Sequence, residues 1–278
     1  MSISSAIDLS GRVGLVTGGG TGIGLMIAQG LASCGAKVYI AGRRVDVLEK
    51  SAAGYQGKGS IVALCMDVVD EESIKKGVKF ISEADGKLDI LVNNAGITTP
   101  LGESDFATKK FEYSAEGKIP MELHFKLNVF APFFVTSAFL ELLEKGARSR
   151  IDGTSSVINI SGCAAVMKSG FANLSFAYAT TKAALDQITT SLAADLARRK
   201  VPVRINAIEP GAFPTDIVPA EIFEEYRTKP LPGLIAPVPL LRWGKPEEIA
   251  LTAVYLASTG YTNGIVLRVD GGLALVNP

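Results

Sequence analysis

The sequence predicts a doubly wound α/β fold, a seven-stranded parallel sheet with helices on both faces. Short apolar runs rich in β-branched residues alternate with longer amphipathic segments along the 278 residues. The apolar runs are nearly continuous rather than alternating, as in strands that are buried on both sides. A glycine-rich turn follows the first run directly. Right-handed crossovers between such elements produce a doubly wound sheet.

The first half of the chain contains four predicted strands. Val13–Thr17 is the first, and a helix follows it because apolar residues recur at helical spacing from Ile23 to Leu31 until Gly35 ends the pattern. The order then continues with a strand at Lys37–Ala41, a charged helix at Val45–Ala53, a strand at Ile61–Met66, a helix capped by Asp70 and running to about Ala84, and a strand at Ile90–Asn93.

The second half contains three more predicted strands and two long helices. Its elements are an irregular polar stretch at Pro100–Pro120, a helix at Met121–Leu143, a strand at Val157–Ile160, a helix at Phe176–Arg199, and strands at Arg204–Ile208 and Ile265–Val269. The connection Gly211–Pro246 is long and contains seven prolines. It predicts a substrate lid within one domain spanning residues 1–278, and a plain surface insertion is the alternative.

Composition argues against several classes of partner. Lysine plus arginine equals aspartate plus glutamate at 28 each, so neither nucleic acid nor an anionic membrane is an expected partner. The cysteines Cys34, Cys65 and Cys163 are few and odd in number, which disfavours a disulfide framework. We find no apolar run of membrane-spanning length, no secretory signal and no metal site, and therefore expect a cytoplasmic protein.

The glycine-rich turn Thr17–Gly24, with the sequence TGGGTGIG, predicts a phosphate-binding site. Glycines allow a tight turn and bring backbone N–H groups close to an anion, and the N-terminus of the following helix favours negative charge. The spacing of Gly18, Gly22 and Gly24 is wider than in the common dinucleotide-binding pattern. A simple strand-to-helix turn is the alternative, although it rarely needs five glycines.

The end of the second strand indicates which dinucleotide binds. An acidic residue there would favour NAD, but Gly42 is followed by Arg43 and Arg44, whose guanidinium groups suit a 2′-phosphate. The sequence therefore predicts NADP(H), and a pair of solvated arginines is the alternative. Asp67 is a candidate partner for the adenine. Asn93–Gly96 is a candidate for close approach to the adenosine ribose, and a structural role for Asn93, which would pin neighbouring strands, is an equal alternative.

Tyr178 and Lys182 are the candidate catalytic pair. Positions i and i+4 share one helix face, so both side chains can enter one site. A nearby ammonium would lower the pKa of the phenol, and the tyrosine could then protonate a carbonyl oxygen. Asn128, on the preceding long helix, could hold a water that relays protons from Lys182. His124 is the only histidine, and we interpret it as a packed residue rather than a catalytic one.

In this order the motifs resemble the short-chain dehydrogenases, over about Leu9 to Leu273. They are TGGGTGIG, NNAG at Asn93–Gly96, Asn128, YATTK at Tyr178–Lys182, Pro210-Gly211 and VDGG at Val269–Gly272. The chain looks most similar to the branch of 3-oxoacyl-carrier-protein reductases, rhamnolipid-type ketoreductases and fungal secondary-metabolism relatives. The resemblance implies a Rossmann-like single domain, hydride transfer with NAD(P)(H), a small-molecule carbonyl substrate and a homo-oligomer, commonly a tetramer, with a dimer as the alternative.

The resemblance also assigns cofactor contacts, including Thr215 and Lys126. The predicted cofactor-binding residues are Gly18, Thr21, Gly22, Ile23, Gly24, Arg43, Arg44, Asp67, Val68, Asn94, Ala95, Gly96, Lys126, Tyr178, Lys182, Pro210, Gly211, Phe213 and Thr215.

One position departs from the family pattern. The fifth strand of the family usually ends N-x-S-S or N-x-G-S, but here Asn159-Ile160-Ser161 is followed by Gly162 in the last serine position. Ser161 could take the role, Ser169 or Ser175 in the following loop could replace it, or the site could lack this donor. We assign Ser161 provisionally beside Tyr178, Lys182 and Asn128.

Two functions from different classes follow. The leading prediction is NADPH-dependent reduction of a ketone on a hydrophobic small molecule. The alternative is an NADP(H)-binding homologue with non-redox chemistry, such as cyclisation or isomerisation, or with lost activity. A purely structural partner in a larger complex is a third reading that no residue specifically supports.

Overall fold

The computed structural model describes residues 3–98, 121–151, 153–168, 176–215, 225, 227–230 and 234–278. Within these ranges one sheet contains seven parallel strands in the order β3-β2-β1-β4-β5-β6-β7. The strands are β1 Val13–Thr17, β2 Lys37–Gly42, β3 Ser60–Cys65, β4 Ile90–Asn93, β5 Ser155–Ile160, β6 Val203–Pro210 and β7 Val266–Val269. The predicted fold class is confirmed.

Helices cover both faces of this sheet. They are α1 Ile3–Ala6, α2 Gly22–Ser33, α3 Val45–Ala53, α4 Glu71–Asp85, α5 Met121–Phe125, α6 Ala131–Arg148, α7 Phe176–Arg198, α8 Pro246–Ser258 and α9 Leu273–Val276. On one face α2, α3 and α8 bury Leu31, Leu48 and Ile249. On the other, α4, α6 and α7 bury Ile81, Phe139 and Leu196.

The predicted helix Met121–Leu143 is interrupted by a π-helical turn. α5 leads into a π-helix at Lys126–Phe130 before α6 begins, and the Ala131 N–H donates to the carbonyl oxygen of Lys126. Apolar periodicity predicts a helix but does not reveal a single wider turn within it. The π-helix was therefore not predicted from the sequence. Wider turns of this kind are frequent at functional sites.

The segment Met121–Arg148 is, among the described residues, the one helix long and apolar enough to cross a membrane. The sequence predicted no apolar run of membrane-spanning length. The structure corrects this expectation, because α5, the π-helix and α6 follow one another as a single long helical segment. Half of its most apolar window is buried in the protein, with Phe139 and Leu143 in the core. Its position against the sheet is that of a core helix.

Helix α8 was also missed by the sequence analysis, which identified no element between Pro246 and the last strand. Its signals were present: Pro246 opens the helix, and Glu248 Oε2 accepts a hydrogen bond of 2.8 Å from the Lys245 N–H. The helix packs against α2 so closely that a Cβ on Gly30 would lie 2.5 Å from the Ala250 Cβ. A glycine in α2 thus permits this contact.

The predicted lid at 211–246 is described only at 211–215, 225, 227–230 and 234–246. Its returning limb packs against α9, where Leu234 and Leu273 are buried together with Cys163. The predicted irregular stretch 100–120 lies outside the described residues, as do Ser169 and Ser175.

Candidate functional site

The candidate site lies at the carboxyl ends of the strands, where the winding of the sheet reverses. β1 pairs with β2 on one side and with β4 on the other, so the chain runs outward in both directions from β1. At this point the loops that follow neighbouring strands diverge and leave a crevice between them. Doubly wound sheets bind their ligands in this crevice.

The glycine-rich turn after β1 is tightly packed. Gly18 has a φ of +63°, and a Cβ there would lie 3.0 Å from the Ala95 Cα. A Cβ on Gly24 would lie 2.4 Å from the Gly18 carbonyl oxygen. Both positions therefore require glycine, and the first does so for its backbone conformation as well.

Asn94 holds this turn in place. Its Nδ2 donates to the carbonyl oxygens of Thr17 and Gly18, at 2.9 and 3.1 Å. The Thr17 hydroxyl in turn accepts hydrogen bonds from the backbone N–H groups of Asn94 and Ala95, at 3.0 and 3.1 Å. Asn94, predicted to lie beside the cofactor, thus also holds the glycine-rich turn in its conformation. The hydrogen bonds of the Thr17 hydroxyl were not predicted from the sequence.

The turn presents the features of a phosphate cradle. Thr21 is the N-cap of α2 but makes no side-chain capping bond. The positive end of the α2 dipole therefore faces the crevice without a capping side chain from Thr21. A Cβ on Gly22 would lie 3.4 Å from the Thr215 Cγ2, so Thr215 lies next to the glycine-rich turn. Ile23, in the first turn of α2, is partly buried against the core.

Arg43 and Arg44 lie beside this turn. Both are exposed, and Arg44 is the N-cap of α3. Side chains of α3 lie 3.2 Å from the position of a Cβ on Gly20, and Ser51 donates to the Gly20 carbonyl oxygen at 2.8 Å. Within the described ranges neither guanidinium group makes an ion pair or a side-chain hydrogen bond, so both cations are available to a ligand. These residues and the cradle fit a phosphorylated dinucleotide.

The two predicted adenine-side residues differ in placement. Asp67 forms a local turn, in which its Oδ1 accepts a hydrogen bond of 3.1 Å from the Val69 N–H. Val68 is 8% exposed and packs into the core, so only its backbone can face the crevice.

Tyr178 and Lys182 project from the first turns of α7 into the crevice. The Lys182 Nζ lies 5.5 Å from the centre of the Tyr178 ring and donates to the Ile160 carbonyl oxygen at 2.8 Å. Lys182 is 5% exposed, and burial lowers its pKa to about 8. Burial raises the pKa of Tyr178 above its ordinary value, with a smaller contribution from Cys163.

The direction of the Tyr178 shift is opposite to the sequence expectation. We expected the Lys182 ammonium to lower the pKa of the phenol. In this structure burial is the larger effect, and the ammonium lies toward the ring and the Ile160 carbonyl. The tyrosine therefore holds its proton at neutral pH, as a proton donor must.

Asn128 lies in the π-helix and is buried. Its Oδ1 accepts from the Ile97 N–H and its Nδ2 donates to the Ile97 carbonyl oxygen, both at 2.9 Å. The Nδ2 also donates to the Thr181 hydroxyl at 3.1 Å. The side chain is thus occupied by protein partners, whereas we expected it to hold a water. It joins the end of β4 to α7 next to Tyr178.

The structure places Gly162, not Ser161, against the tyrosine. A Cβ on Gly162 would lie 3.2 Å from the Tyr178 hydroxyl. The Ser161 hydroxyl is buried and donates instead to the Lys182 carbonyl oxygen at 3.1 Å. The provisional assignment of Ser161 as the substrate-binding serine is therefore not supported by its orientation, because adjacent residues at the strand end point to opposite sides.

The remaining predicted residues are spread around the crevice. Pro210 ends β6, the Gly211 N–H donates to the Val269 carbonyl oxygen at 2.9 Å, and Phe213 is buried in the core. Lys126 is exposed in the π-helix. Gly96 lies near Lys182, since a Cβ there would be 3.7 Å from the Nζ. His124 is fully buried, in agreement with its interpretation as a packed residue.

The sequence analysis missed a group of charged side chains behind the catalytic lysine. Asp186 lies one turn after Lys182 on α7, and Glu209 and Arg268 occupy paired positions on β6 and β7. Spacing could have shown Asp186, which is again at i+4 from Lys182. Glu209 and Arg268 could be found only from the register of the strands.

Comparison with known proteins agrees with this arrangement. The family profile described as short chain dehydrogenase matches residues 12–225. The short-chain dehydrogenase/reductase VdtF of Byssochlamys spectabilis is 37% identical over 307 residues, covering 100% of this chain and 97% of the relative. The rhamnolipid-biosynthesis 3-oxoacyl-acyl-carrier-protein reductase of Pseudomonas aeruginosa is 35% identical over 270 residues, covering 96% and 98%.

Solved structures show the same similarity. The RhlG/NADP active-site complex from Pseudomonas aeruginosa superposes with a TM-score of 0.79 at 31% identity, covering 97% of this chain and 98% of that one.

Proposed function

We propose that this chain, which belongs to the short-chain dehydrogenase family, reduces a ketone on a hydrophobic small molecule to an alcohol, with NADPH as the cofactor. The observation that carries the proposal is the placement of Tyr178 and Lys182 at the carboxyl ends of the strands, beside the glycine-rich cradle. The cofactor supplies a hydride to the carbonyl carbon when it is bound.

The residues of the chain supply the proton. Tyr178 keeps its proton at neutral pH, and it donates that proton to the carbonyl oxygen as negative charge develops there. The neighbouring Lys182 ammonium stabilises the resulting tyrosinate, because an opposite charge in a site with little water interacts strongly. Gly162 leaves room for the substrate carbonyl beside the hydroxyl.

Three observations support NADPH over NADH. Arg43 and Arg44 are exposed beside the cradle, and no acidic residue occupies the end of β2. Guanidinium groups bind phosphate by charge-assisted, often bidentate bonds. A relative at 31% identity forms a complex with NADP. The preference for NADPH in turn supports the reductive direction. We also propose a cytoplasmic location.

We also propose that residues 1–278 form one domain, that 211–246 is its lid, and that the chain is a homo-oligomer, a tetramer or a dimer. In the described part of the lid, Leu234 is buried whereas Ile235 and Leu240 are exposed, which supports an apolar substrate. Exposed phenylalanines on the π-helix and α6, described below, support self-association.

The alternative function is non-redox chemistry or lost activity on the same cofactor-binding scaffold. Gly162 favours it, because a missing hydrogen-bond donor to a developing oxyanion costs about 10²–10³ in turnover. Conversion of a substrate without net consumption of NADPH would establish this alternative.

The test is the oxidation of NADPH, followed by absorbance, with ketones ranging from β-ketoacyl thioesters to polycyclic aromatic ketones. Tyr178→Phe is expected to lower turnover by at least about 10²-fold while NADPH binding is retained, because it removes only the transferred proton. Tyr261→Phe is the matched control, since Tyr261 is fully exposed. NADH in place of NADPH is expected to react more slowly.

Equal turnover by wild type and Tyr178→Phe would overturn the mechanism. Confirmed NADPH binding without turnover on any ketone would favour the alternative function.

A further inference from the structure

Gly162 lies in front of the catalytic pair at a position where the structure does not require glycine. Its φ of 173° is extended backbone, which any residue adopts. A Cβ there would lie 3.2 Å from the Tyr178 hydroxyl, a tight contact that a small shift of the ring relieves. At Gly24, in contrast, a Cβ would lie 2.4 Å from the Gly18 carbonyl oxygen. Neither backbone conformation nor packing therefore accounts for the missing side chain of Gly162.

The space beside Gly162 faces the reacting groups. The three heavy atoms nearest to a Cβ at this position are the Tyr178 hydroxyl oxygen, the Tyr178 Cζ and the Lys182 Cγ, at 3.2, 3.9 and 3.9 Å. A side chain here would stand next to the proton donor, where the carbonyl oxygen of a substrate has to bind in order to receive the proton. Glycine leaves this space to the substrate.

Two polar side chains next to the catalytic pair are already engaged by the protein. The Ser161 hydroxyl is buried and donates its single hydrogen to the Lys182 carbonyl oxygen at 3.1 Å. The Asn128 Nδ2 donates to the Ile97 carbonyl oxygen at 2.9 Å and to the Thr181 hydroxyl at 3.1 Å, which uses both amide hydrogens. Neither side chain can supply the second donor that the family serine usually provides.

The residues that follow Gly162 are apolar. Cys163 is buried in a cluster with Met167, Leu234 and Leu273, and its thiol is only a weak donor. A hydroxyl group without a partner is unfavourable in such surroundings, whereas a hydroxyl that is hydrogen-bonded within the ligand loses little on leaving water. Apolar neighbours also shield that internal hydrogen bond from competition by water.

We propose that the substrate itself brings the missing donor. The substrate class is a ketone conjugated to a hydroxyl group that hydrogen-bonds to the carbonyl oxygen in a six-membered ring, as in an ortho-hydroxyaryl ketone. This hydroxyl lies in the space beside Gly162, and the same carbonyl oxygen accepts a hydrogen bond from Tyr178. The inference rests on the proposed function and names the substrate class of that site.

The two donors have different tasks in the reduction. The O–H bond of Tyr178 breaks and its proton goes to the carbonyl oxygen, while the hydride goes to the carbonyl carbon, as in the proposed function. The substrate hydroxyl keeps its proton and donates a hydrogen bond to the oxygen as negative charge develops there. Conjugation holds this hydroxyl in the plane of the carbonyl group, so the donor is preorganised. One preorganised donor of this kind contributes about 10²–10³ in turnover when a protein supplies it.

The first test compares three forms of one aryl ketone with the wild-type protein and NADPH. The forms carry a hydroxyl ortho to the carbonyl group, a hydroxyl para to it, or a methoxy group ortho to it. The para form has the same electron donation by resonance without an adjacent donor, and the methoxy form fills the same position without a hydrogen. We expect kcat/KM of the ortho-hydroxy form to exceed both others by at least about 10-fold. Equal values for the ortho-hydroxy and para-hydroxy forms would overturn the inference.

The second test asks whether a hydroxyl at position 162 replaces the hydroxyl of the substrate. Gly162→Ser is expected to raise kcat/KM of the para form by at least about 10-fold without raising that of the ortho-hydroxy form, so the preference falls toward one. Gly162→Ala fills the same space without a donor, and it is expected to lower kcat/KM of the ortho-hydroxy form without raising that of the para form. An unchanged preference in Gly162→Ser would contradict the inference, and it is the result expected if Ser169 or Ser175 supplied the donor.

Failure of the proposed function gives a different result from failure of this inference. Absence of turnover with all three forms, while NADPH binds, would refute the reduction itself and the inference with it. Turnover without a preference for the ortho-hydroxy form would refute only the substrate class. If Gly162→Ser does not fold, the comparison of the three forms with the wild type decides the question.

Discussion

At the scale of single residues, Gly162 is the position where this chain differs most from its family pattern. It occupies the place of the usual serine, and its missing side chain would point at the Tyr178 hydroxyl. The neighbouring Ser161 cannot exchange places with it without a shift of the strand end, because the Ser161 hydroxyl is held by the backbone of α7.

Gly162→Ser is expected to raise turnover by up to about 10²-fold, since it adds a hydrogen-bond donor where the substrate oxygen develops negative charge. Gly162→Ala is the matched control, because it fills the same space, 3.2 Å from the Tyr178 hydroxyl, without adding a donor. Steady-state kinetics on one ketone measures both variants. An equal loss of activity in the two would show that the site needs the space and not the hydroxyl.

The sequence indicated the reactive residues better than it indicated their partners. Tyr178 and Lys182 were found from their i, i+4 spacing, and the serine position from its distance to Asn159. The three hydrogen bonds of Asn128 could not be found in this way, because Ile97 and Thr181 are 31 and 53 residues away in the chain. Contacts between distant residues follow from the fold and not from local spacing.

At the scale of elements, residues around α9 hold the end of the segment that we propose as the lid. The Asn277 Oδ1 accepts from the backbone N–H groups of Ile235 and Ala236, at 2.7 and 3.0 Å. The Nδ2 donates to the carbonyl oxygens of Ala236 and Leu273, at 3.0 and 2.9 Å. Asn277 is fully buried, so it joins α9 to the returning limb of the lid with all its hydrogen bonds formed.

Asn277→Ala is expected to loosen this limb and to destabilise it by about 1–3 kcal/mol, because it leaves partly buried backbone groups of Ile235 and Ala236 without their protein partner. Faster hydrogen exchange of the amides at 234–241 and a raised KM would report the change. Asn277→Asp keeps the oxygen that accepts both N–H groups, and it is expected to lie between wild type and Asn277→Ala. Unchanged exchange in Asn277→Ala would show that apolar packing alone holds the limb.

At the scale of the whole molecule, the alternation of strands and helices was enough to predict the parallel sheet. The sequence predicted a doubly wound sheet but not the order of its strands. That order depends on pairings such as β1 with β4, which join residues about 76 positions apart. The π-helix and the placement of Glu209 beside Arg268 were not predicted, since both depend on packing between elements. Helix α8 was missed although its local start signals, Pro246 and Glu248, were present in the sequence.

One face of the molecule exposes a group of phenylalanines. Phe130, Phe133 and Phe134 are 51%, 39% and 59% exposed on the π-helix and the start of α6. Exposed apolar groups of this size on one helix are typical of surfaces that bind another protein. For the proposed homo-oligomer, this is the face that supports contact between copies.

Phe134→Glu is expected to lower the oligomeric state at micromolar concentration, because it places a charge in an apolar contact. Sedimentation velocity measures the change. Ile151→Glu is the control, since Ile151 is 97% exposed and lies beyond the far end of α6, whereas Phe134 lies near its start. The same mass for both variants and the wild type would exclude this face as the interface.

The hydrogen bonds of Asn94 and Asn128 have a consequence for how the binding of cofactor and the binding of substrate affect one another. Asn94 holds the glycine-rich turn, and three residues later Ile97 is held by Asn128, which also binds Thr181 beside Tyr178. Occupation of the turn and of the substrate crevice thus acts on one short backbone segment at the end of β4. If cofactor binding tightens that segment and so favours the ketone, thermodynamic reciprocity requires the ketone to raise the affinity for cofactor by the same factor.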